Sequence, residues 1–364
     1  MDFIPGEEET EAARLAAQIL GAAGSAVAAA SGGAVNAVDF DERLWKELAG
    51  AGLLSLALPE HLGGDGLGVQ ATAAVLTEVG RHAARIPALA SLALGVLPVA
   101  RCTDSALQRR LLAGVAAGDT VLTAAIREPS DPMPDTPATT ETAGAVFGVK
   151  VGVPYAAAAS WILVPASTAA GTVVAVVEPD ADGLSCQRTR SSSGLPEYTV
   201  RLDHTPVSAV LEGCPADVLS QLAVAGACAV ADGALAAALD LTSKHVRDRQ
   251  QFGRPLATFQ AVAQQIADVY ATARTLHLIT LSLGWRLDAG REAGPEADVA
   301  GYWLADYGPP ALRTCHHLHG GLGMDISYPL PRYSSLVTDL VSFVGGTAAR
   351  LDRLARREGE EGRT

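Results

Sequence analysis

The stretch HVRDRQQFGRPLATFQAVAQQIADVY, residues 245–270, decides the fold of this chain. A long helical pattern of small apolar residues leads into it from about Ala216 and ends near Asp248. A second amphipathic helix is predicted soon after Pro255, because apolar residues recur there at helical spacing. The two predicted helices therefore meet at one charged turn, which carries Arg249, Gln251 and Phe252 before Gly253.

A second motif, HLHGGLG at residues 317–323, follows another helical pattern. Glycine has no Cβ, so the backbone amides of Gly320 and Gly321 can approach a phosphate closely. A glycine pair after a helix is also a common helix stop, and both interpretations stay open. The neighbouring histidines do not predict a metal site, because no cysteine or carboxylate stands at metal-ligand spacing in this segment.

Composition limits the classes of function. The chain has 364 residues, 49% of them hydrophobic, which is enough for two or three subdomains with a sizeable core. Its net charge of −13 argues against binding to nucleic acid or to an anionic membrane. Five scattered cysteines predict reduced thiols. With an acidic start and no apolar run reaching about 18 residues, we expect a cytoplasmic protein without a membrane span.

The residue pattern changes twice along the chain. Residues 1–118 carry helical patterns, including one over residues 86–101 and one over residues 105–117. Residues 119–214 carry short β-rich runs separated by turn residues, which predict a small antiparallel β-domain. Residues 215–364 return to long helices, with irregular segments bounded by prolines between them.

This order of patterns, with the two motifs, closely resembles the acyl-CoA dehydrogenase family. The loop PEHLGG, residues 59–64, is similar to the family's PE-x-x-GG turn. The resemblance spans nearly the whole chain. It implies an α+β fold with an N-terminal α-helical domain, a middle small β-domain and a C-terminal four-helix-bundle domain. It also implies FAD as the cofactor, an acyl-CoA substrate and an electron-transfer flavoprotein as electron acceptor.

The resemblance also assigns cofactor-binding roles. In the family, an arginine, a glutamine or threonine, and a phenylalanine reach across a subunit interface to the pyrophosphate and adenine side of the neighbour's FAD. An arginine suits this role because its planar guanidinium binds a diphosphate bidentately. The alternative is an arginine favoured by a helix C-terminus, with Phe252 in the core. The cofactor-binding candidates are Arg249, Gln251, Phe252, His317 (where the family commonly has glutamine), Gly320, Gly321 and Thr347.

The family's catalytic base is missing from both of its known positions. That carboxylate usually stands just before a Gly-Thr near the C-terminus, where this chain has Val344 and Gly345 before Gly346-Thr347. The other known position is early in the helix that precedes the arginine motif, and residues 219–224 contain no acid either. A proton cannot be abstracted from a thioester without a titratable group, so no catalytic residue is predicted in this chain.

The β-domain also departs from the family's pattern. Residues 122–129 match the start of the flavin-binding loop, but residues 130–134 do not continue it. Gly148-Val149-Lys150 is kept, whereas residues 151–156 differ from the segment that covers the isoalloxazine ring in the family. The half of the site that a protomer builds for its own flavin is therefore eroded, and the half that it lends to its neighbour is intact.

One hypothesis explains both facts: the chain is one subunit of a hetero-oligomer whose partner carries the base. The pattern resembles the α2β2 acyl-CoA dehydrogenases of actinobacteria that shorten steroid side chains. Residues 315–329 are particularly similar to the smaller subunit acting on 3-oxo-pregnene-20-carboxyl-CoA. Two alternatives stay open: a self-sufficient homo-oligomeric dehydrogenase or oxidase with Asp325 or Asp339 as base, and a non-catalytic scaffold without flavin.

Overall fold

The N-terminal part of the chain is helical. The computed structural model describes residues 3–27, 40–129 and 131–361. Asp41 caps the second helix, as its side chain accepts a hydrogen bond from the Leu44 amide at 2.9 Å. The helix predicted over residues 86–101 is present, but its first eight residues, Leu89–Val96, have the wider π-helical winding. The helices are α1 (Glu7–Val27), α2 (Glu42–Gly50), α3 (Val69–Arg81), α4 (Leu97–Ala100, continuing the π-helical segment) and α5 (Ser105–Leu112).

An eight-stranded sheet forms the middle of the molecule. Its strands are β1 (Leu122–Ala124), β2 (Thr140–Thr142), β3 (Ala145–Pro154), β4 (Trp161–Thr168), β5 (Gly171–Val177), β6 (Leu184–Thr189), β7 (Glu197–Pro206) and β8 (Ala209–Val210). They lie in the order β6-β7-β3-β2-β4-β5-β8, with β1 beside β4. Most pairs are antiparallel, as predicted, but β1 and β2 both run parallel to β4. The predicted antiparallel pairing is therefore confirmed for most strand pairs and wrong for the two that β4 makes with β1 and β2.

The C-terminal part consists of long helices and one short hairpin. They are α6 (Ala216–Asp248), β9 (Gln250–Gln251), β10 (Arg254–Pro255), α7 (Gln260–Asp288), α8 (Gly294–His319), α9 (Leu330–Phe343) and α10 (Gly346–Glu361). The sequence predicts an irregular segment where α9 lies, because Pro329 and Pro331 flank its start. Both prolines fall at the beginning of the helix, where a missing amide hydrogen costs nothing.

Helix α6 is the centre of the molecule. It is long and apolar enough to cross a membrane by length and composition, with a mean hydropathy of 1.9 over 18 residues. The prediction that no apolar run reaches this length is therefore wrong. In the fold, 89% of that window is buried, because α3, α7, α8 and α9 pack around it. Gly80 and Gly233 let α3 and α6 cross with their backbones in contact, since a Cβ at either would collide with a carbonyl oxygen.

Candidate functional site

The Arg249 turn, residues 249–255, projects from the end of α6. Arg249 is the C-cap of that helix, and its amide donates to the His245 carbonyl at 2.8 Å. Strands β9 and β10 pair around the two-residue tip Phe252-Gly253, whose φ angles are +53° and +77°. Two positive φ values in succession are typical of the tight turns that close such hairpins.

Phe252 is 91% exposed at this tip. The alternative that placed this side chain in the core is therefore wrong. This position of the phenylalanine is unfavourable for two reasons: its backbone is in the left-handed region, and its apolar ring contacts water. The Phe259 ring supports the turn, because it lies edge-on to Phe252 at 6.2 Å and under the Arg254 guanidinium at 4.1 Å. This arrangement presents an aromatic ring on a braced turn, as a contact across an interface requires.

The glycine turn, residues 320–324, ends α8. Gly320 caps the helix with φ +60° and ψ −138°, so the helix stop predicted from the glycine pair is confirmed. A Cβ built at Gly320 or at Gly321 would meet no atom within 4 Å, which means that packing inside the chain does not require glycine there. His317, one turn earlier, is also exposed. The turn is an open cradle, where a phosphate or an adenosine can approach the backbone.

Two stacked histidines hold these turns side by side. The rings of His245 in α6 and His319 in α8 lie 4.4 Å apart at an angle of 21°. His319 is fixed further by its Nδ1 contact with the Cys315 carbonyl at 2.8 Å and its Nε2 contact with the Tyr328 hydroxyl at 3.1 Å. Burial lowers the pKa of both imidazoles, with a further lowering of the His245 pKa by its neighbours His319 and Arg249, whereas the contact with the Cys315 carbonyl opposes the shift of His319. The stacked pair therefore fixes the ends of α6 and α8 together.

Six of the seven sequence-predicted residues consequently share one end of the helical bundle, and Thr347 does not. Thr347 lies in the first turn of α10, one turn before Arg350, whose side chain packs on Gly301 of α8. From Gly301 to Gly320 the helix rises about 28 Å at 1.5 Å per residue. Thr347 therefore belongs to a different part of the surface from the other six within one chain.

Comparison with known proteins agrees with this fold and with both motifs. The description "Acyl-CoA dehydrogenase, N-terminal domain" matches residues 7–119, and "Acyl-CoA dehydrogenase, C-terminal domain" matches residues 220–357. This chain belongs to the acyl-CoA dehydrogenase family. It is 47% identical to acyl-CoA dehydrogenase FadE28 of Mycobacterium tuberculosis over 315 residues, covering 86% of this chain and 91% of that protein.

Two solved structures of the family are similar to the whole chain. A variant of the "Tcur3481-Tcur3483 steroid ACAD" has a TM-score of 0.90 and 34% identity, with 99% of each chain covered. The "ChsE4-ChsE5 complex from Mycobacterium tuberculosis" has a TM-score of 0.89 and 30% identity, again with 99% of each chain covered. The family consists of oxidoreductases, and its cofactor is FAD.

The two positions of the acyl-CoA dehydrogenase base hold no acid in the fold. Val344 is 1% exposed, and its carbonyl accepts a hydrogen bond from Arg350 Nε at 2.7 Å. Gly345 and Gly346 follow with positive φ angles. At the start of α6, Leu219 and Leu222 are fully buried in the core. Neither stretch therefore offers a carboxylate at the positions where the resemblance predicts the base.

The two aspartates considered as substitute bases have structural contacts instead. Asp339 accepts hydrogen bonds from the amides of Ser192 and Ser193, one on each carboxylate oxygen, at 2.8 Å. Asp325 is exposed in a turn, where Ser327 donates to it from its amide and its hydroxyl. These bonds lower the pKa of Asp325, which makes it a weaker base. Neither set of hydrogen bonds favours a carboxylate that acts as a catalytic base.

The cleft between the sheet and α9 contains a small cavity. Its volume is about 70 Å³, and it is lined by Tyr155, Glu197 and Asp339 among others. Arg127 fills the space beside Gly152 and donates to the Ser342 hydroxyl at 3.1 Å. Burial, together with the charge of Asp339, raises the pKa of Glu197 to about 7. The cavity is far smaller than the roughly 300 Å³ at which small-molecule sites begin.

A buried ion pair fixes the loop between β1 and β2. Lys150 Nζ lies 2.8 Å from Glu128 Oε1, and both side chains are almost fully buried. Glu128 also accepts from the amides of Ala138 and Thr139 at 2.7 and 2.9 Å. The Gly148-Val149-Lys150 segment therefore anchors the loop before β2 in this chain. No sequence motif indicates this role, because the partners come from separate strands and loops.

Proposed function

We propose that this chain is one of two unlike subunits in a heterotetrameric, FAD-dependent acyl-CoA dehydrogenase. Its role would be to lend the adenine and pyrophosphate half of an FAD site to the partner subunit. The observation that carries this proposal is an asymmetry. The lent half is open and exposed at the Arg249 and glycine turns, whereas the chain's own cleft retains about 70 Å³ and lacks the base.

The residues of the lent half suit the chemistry of a dinucleotide. Arg249 offers a bidentate cation to the pyrophosphate, and Gln251 offers an amide beside it. Phe252 offers an aromatic face to the adenine side, and His317 offers an imidazole N–H. The open backbone at Gly320 and Gly321 admits close approach. FAD, when bound, supplies the hydride acceptor for the oxidation, so the residues of this chain need only bind and orient it.

Thr347 has a different place in this proposal. It lies two residues after Gly345, which packs on Pro132 in the loop that precedes β2. A threonine hydroxyl there would face a cofactor held by the chain's own sheet, which is the eroded half. We therefore assign Thr347 to the remnant of that half-site, and not to the half lent to the partner.

The proposed substrate is a steroid CoA thioester, into which the complex introduces an α,β double bond. Support comes from the steroid acyl-CoA dehydrogenase structure that this chain resembles at 34% identity over its whole length. The partner subunit would carry the carboxylate that takes the α-proton, because this chain has none at either family position. We propose 3-oxo-pregnene-20-carboxyl-CoA as the specific substrate. An electron-transfer flavoprotein would be the electron acceptor.

A comparison of turnover tests the proposal against its rivals. The full chain, purified alone and after co-expression with a partner subunit that retains the base, is assayed for dehydrogenation of the steroid CoA thioester with an artificial electron acceptor. We expect turnover only in the co-expressed complex. Turnover by the chain alone would favour a self-sufficient enzyme, and a complex that is inactive and flavin-free would favour a scaffold.

A further inference from the structure

The space where the family's pattern would place a flavin ring in this chain itself is the ring slot. By the resemblance, residues 151–156 cover the isoalloxazine ring and residues 122–129 begin the flavin-binding loop. The base position before Gly346 lies across from them, because the base and the ring act on the same substrate. We therefore define the ring slot as the space between residues 151–156 and the end of α9 at Ser342.

The Arg127 side chain lies in this slot. The Arg127 carbonyl accepts a hydrogen bond from the Val151 amide at 2.9 Å, so the two segments are neighbours. Its Nη1 atom is 2.5 Å from the point that a Cβ at Gly152 would occupy. Gly152 also has a φ of +59°, which a bulky residue rarely adopts. Position 152 therefore has neither the space nor the backbone conformation for an aromatic side chain that covers a ring.

The same arginine bridges the slot to α9. Arg127 Nη2 donates to the Ser342 hydroxyl at 3.1 Å. A flat ring needs carbon contacts of about 3.5 Å on each face, so its two walls must stand about 7 Å apart. A second contact closes the cleft nearby, because a Cβ at Gly345 would lie 2.8 Å from Pro132 Cγ. The sheet and the helical bundle therefore touch at two points where a ring would separate them.

The buried guanidinium does not have the surroundings of an anion site. Arg127 Nε is buried and has no hydrogen-bond partner among the described residues. Burial lowers the pKa of Arg127, and the charge of Glu197 acts against this shift. The cavity in the same cleft is lined by the carboxyl groups of Glu197 and Asp339, which disfavour a phosphate or a carboxylate. Arg127 therefore fills the slot without offering it to an anionic ligand.

We propose that Arg127 and Pro132 close the ring slot, so that this chain holds no isoalloxazine ring of its own. These residues disagree with the family's cofactor in this half-site alone, since the turns at Arg249 and Gly320 are open. The inference rests on the proposed function, because it explains why the chain lends half of a site and keeps none. Arg127 is then a specificity-determining residue, which leaves the partner's ring site as the place for FAD.

The test is a titration of the purified full chain with lumiflavin, which has the isoalloxazine ring without a phosphate or an adenine. Quenching of lumiflavin fluorescence measures binding. We expect no saturable binding by the unmodified chain. Arg127→Ala opens the slot and should bind lumiflavin at least about tenfold more tightly than the limit set by the unmodified chain. Arg127→Lys still fills the slot, and Arg201→Ala removes an exposed arginine from the same sheet, so neither should bind.

Ser342→Ala is a second, milder variant at an exposed position. It removes only the hydrogen bond across the cleft, so we expect lumiflavin binding between that of the unmodified chain and that of Arg127→Ala. Binding by the unmodified chain would overturn the inference, and so would equal binding by Arg127→Ala and Arg127→Lys. Absence of binding by Ser342→Ala and by a folded Arg127→Ala would do the same. If Arg127→Ala does not fold, Ser342→Ala decides alone.

A double variant separates this inference from the proposed function. Lumiflavin lacks the pyrophosphate that Arg249 is proposed to bind, so Arg127→Ala/Arg249→Ala should bind lumiflavin as tightly as Arg127→Ala. Loss of binding in the double variant would place lumiflavin at the Arg249 turn and overturn the inference. Failure of the proposed function appears instead in the turnover of the co-expressed complex, which this titration does not involve.

Discussion

Arg249 is the single residue on which the proposed flavin half-site depends most. It is exposed and caps the C-terminal end of α6. Replacing Arg249 with alanine removes a bidentate contact to the pyrophosphate, which corresponds to about 1.5–3 kcal/mol. We expect Arg249→Ala to weaken FAD retention by the complex at least about tenfold. Flavin absorbance per protein after gel filtration measures this.

Arg247→Ala is the matched control for that variant. Arg247 is also an exposed arginine in the last turn of α6, two residues before Arg249. Both substitutions remove one positive charge from the same region, so a general electrostatic effect would be equal in the two. Equal flavin content in Arg249→Ala and in the unmodified complex would contradict the assigned role.

The stacked histidines predict that FAD retention depends on pH. Because burial lowers the pKa of His245 and His319, the folded pair binds fewer protons than the free imidazoles. The stabilisation is present above the ordinary pKa of about 6.5 and is lost as the pH falls below it. We expect flavin release to increase between about pH 7 and pH 5.5. His245→Phe keeps the stacking and should flatten this profile; an unchanged profile would contradict the role of the pair.

Glu197 predicts the opposite dependence for the stability of the fold. Its pKa is raised to about 7 by burial, so the folded state binds a proton that the unfolded state releases above about pH 4.5. The stabilisation is present at low pH and is lost as the pH rises through about 7. Glu197→Gln should therefore raise the free energy of unfolding at pH 8 by about 1–2 kcal/mol, with little effect at pH 5. Denaturant titrations at both values measure this, and equal effects would contradict it.

Among the secondary-structure elements, strand β3 and the loop before β2 depend on the Lys150–Glu128 ion pair. Lys150→Met leaves the Glu128 carboxylate buried without its cation, which typically costs about 3–5 kcal/mol. The double variant Glu128→Gln/Lys150→Met should recover part of this loss, because no buried charge then remains. Chemical denaturation compares the two variants. A loss below about 1 kcal/mol in Lys150→Met would mean that water or another group compensates Glu128.

The sequence predicts the elements of this fold well where periodicity is strong. Helices α6, α7 and α8 and strands β4 and β5 lie where their patterns indicate. The elements that the sequence predicts wrongly have physical explanations. Helix α9 begins with prolines, and the two parallel contacts of β4 depend on tertiary arrangement, which local patterns do not contain. The sequence predicts the six residues of the proposed half-site from their motifs, whereas Arg127 and Glu197 have no motif.

For the whole molecule, the exposed apolar side chains indicate an assembly. Phe252, Met324 and Ile326 are 91%, 75% and 89% exposed, and Leu322 of the same glycine turn is 43% exposed. Large apolar side chains grouped on two adjacent turns are typical of a surface that a partner covers. They surround the residues proposed to bind the pyrophosphate. We therefore propose that the partner subunit covers this surface, which includes the residues of the proposed cofactor half-site.

In the proposed complex, FAD is bound between unlike chains. The decisive measurement is the ratio of FAD to protein, by absorbance and mass, for this chain alone and after co-expression with its partner. We predict a colourless protein alone and one FAD for each pair of unlike chains in the complex. One FAD per chain in the protein purified by itself would contradict the account.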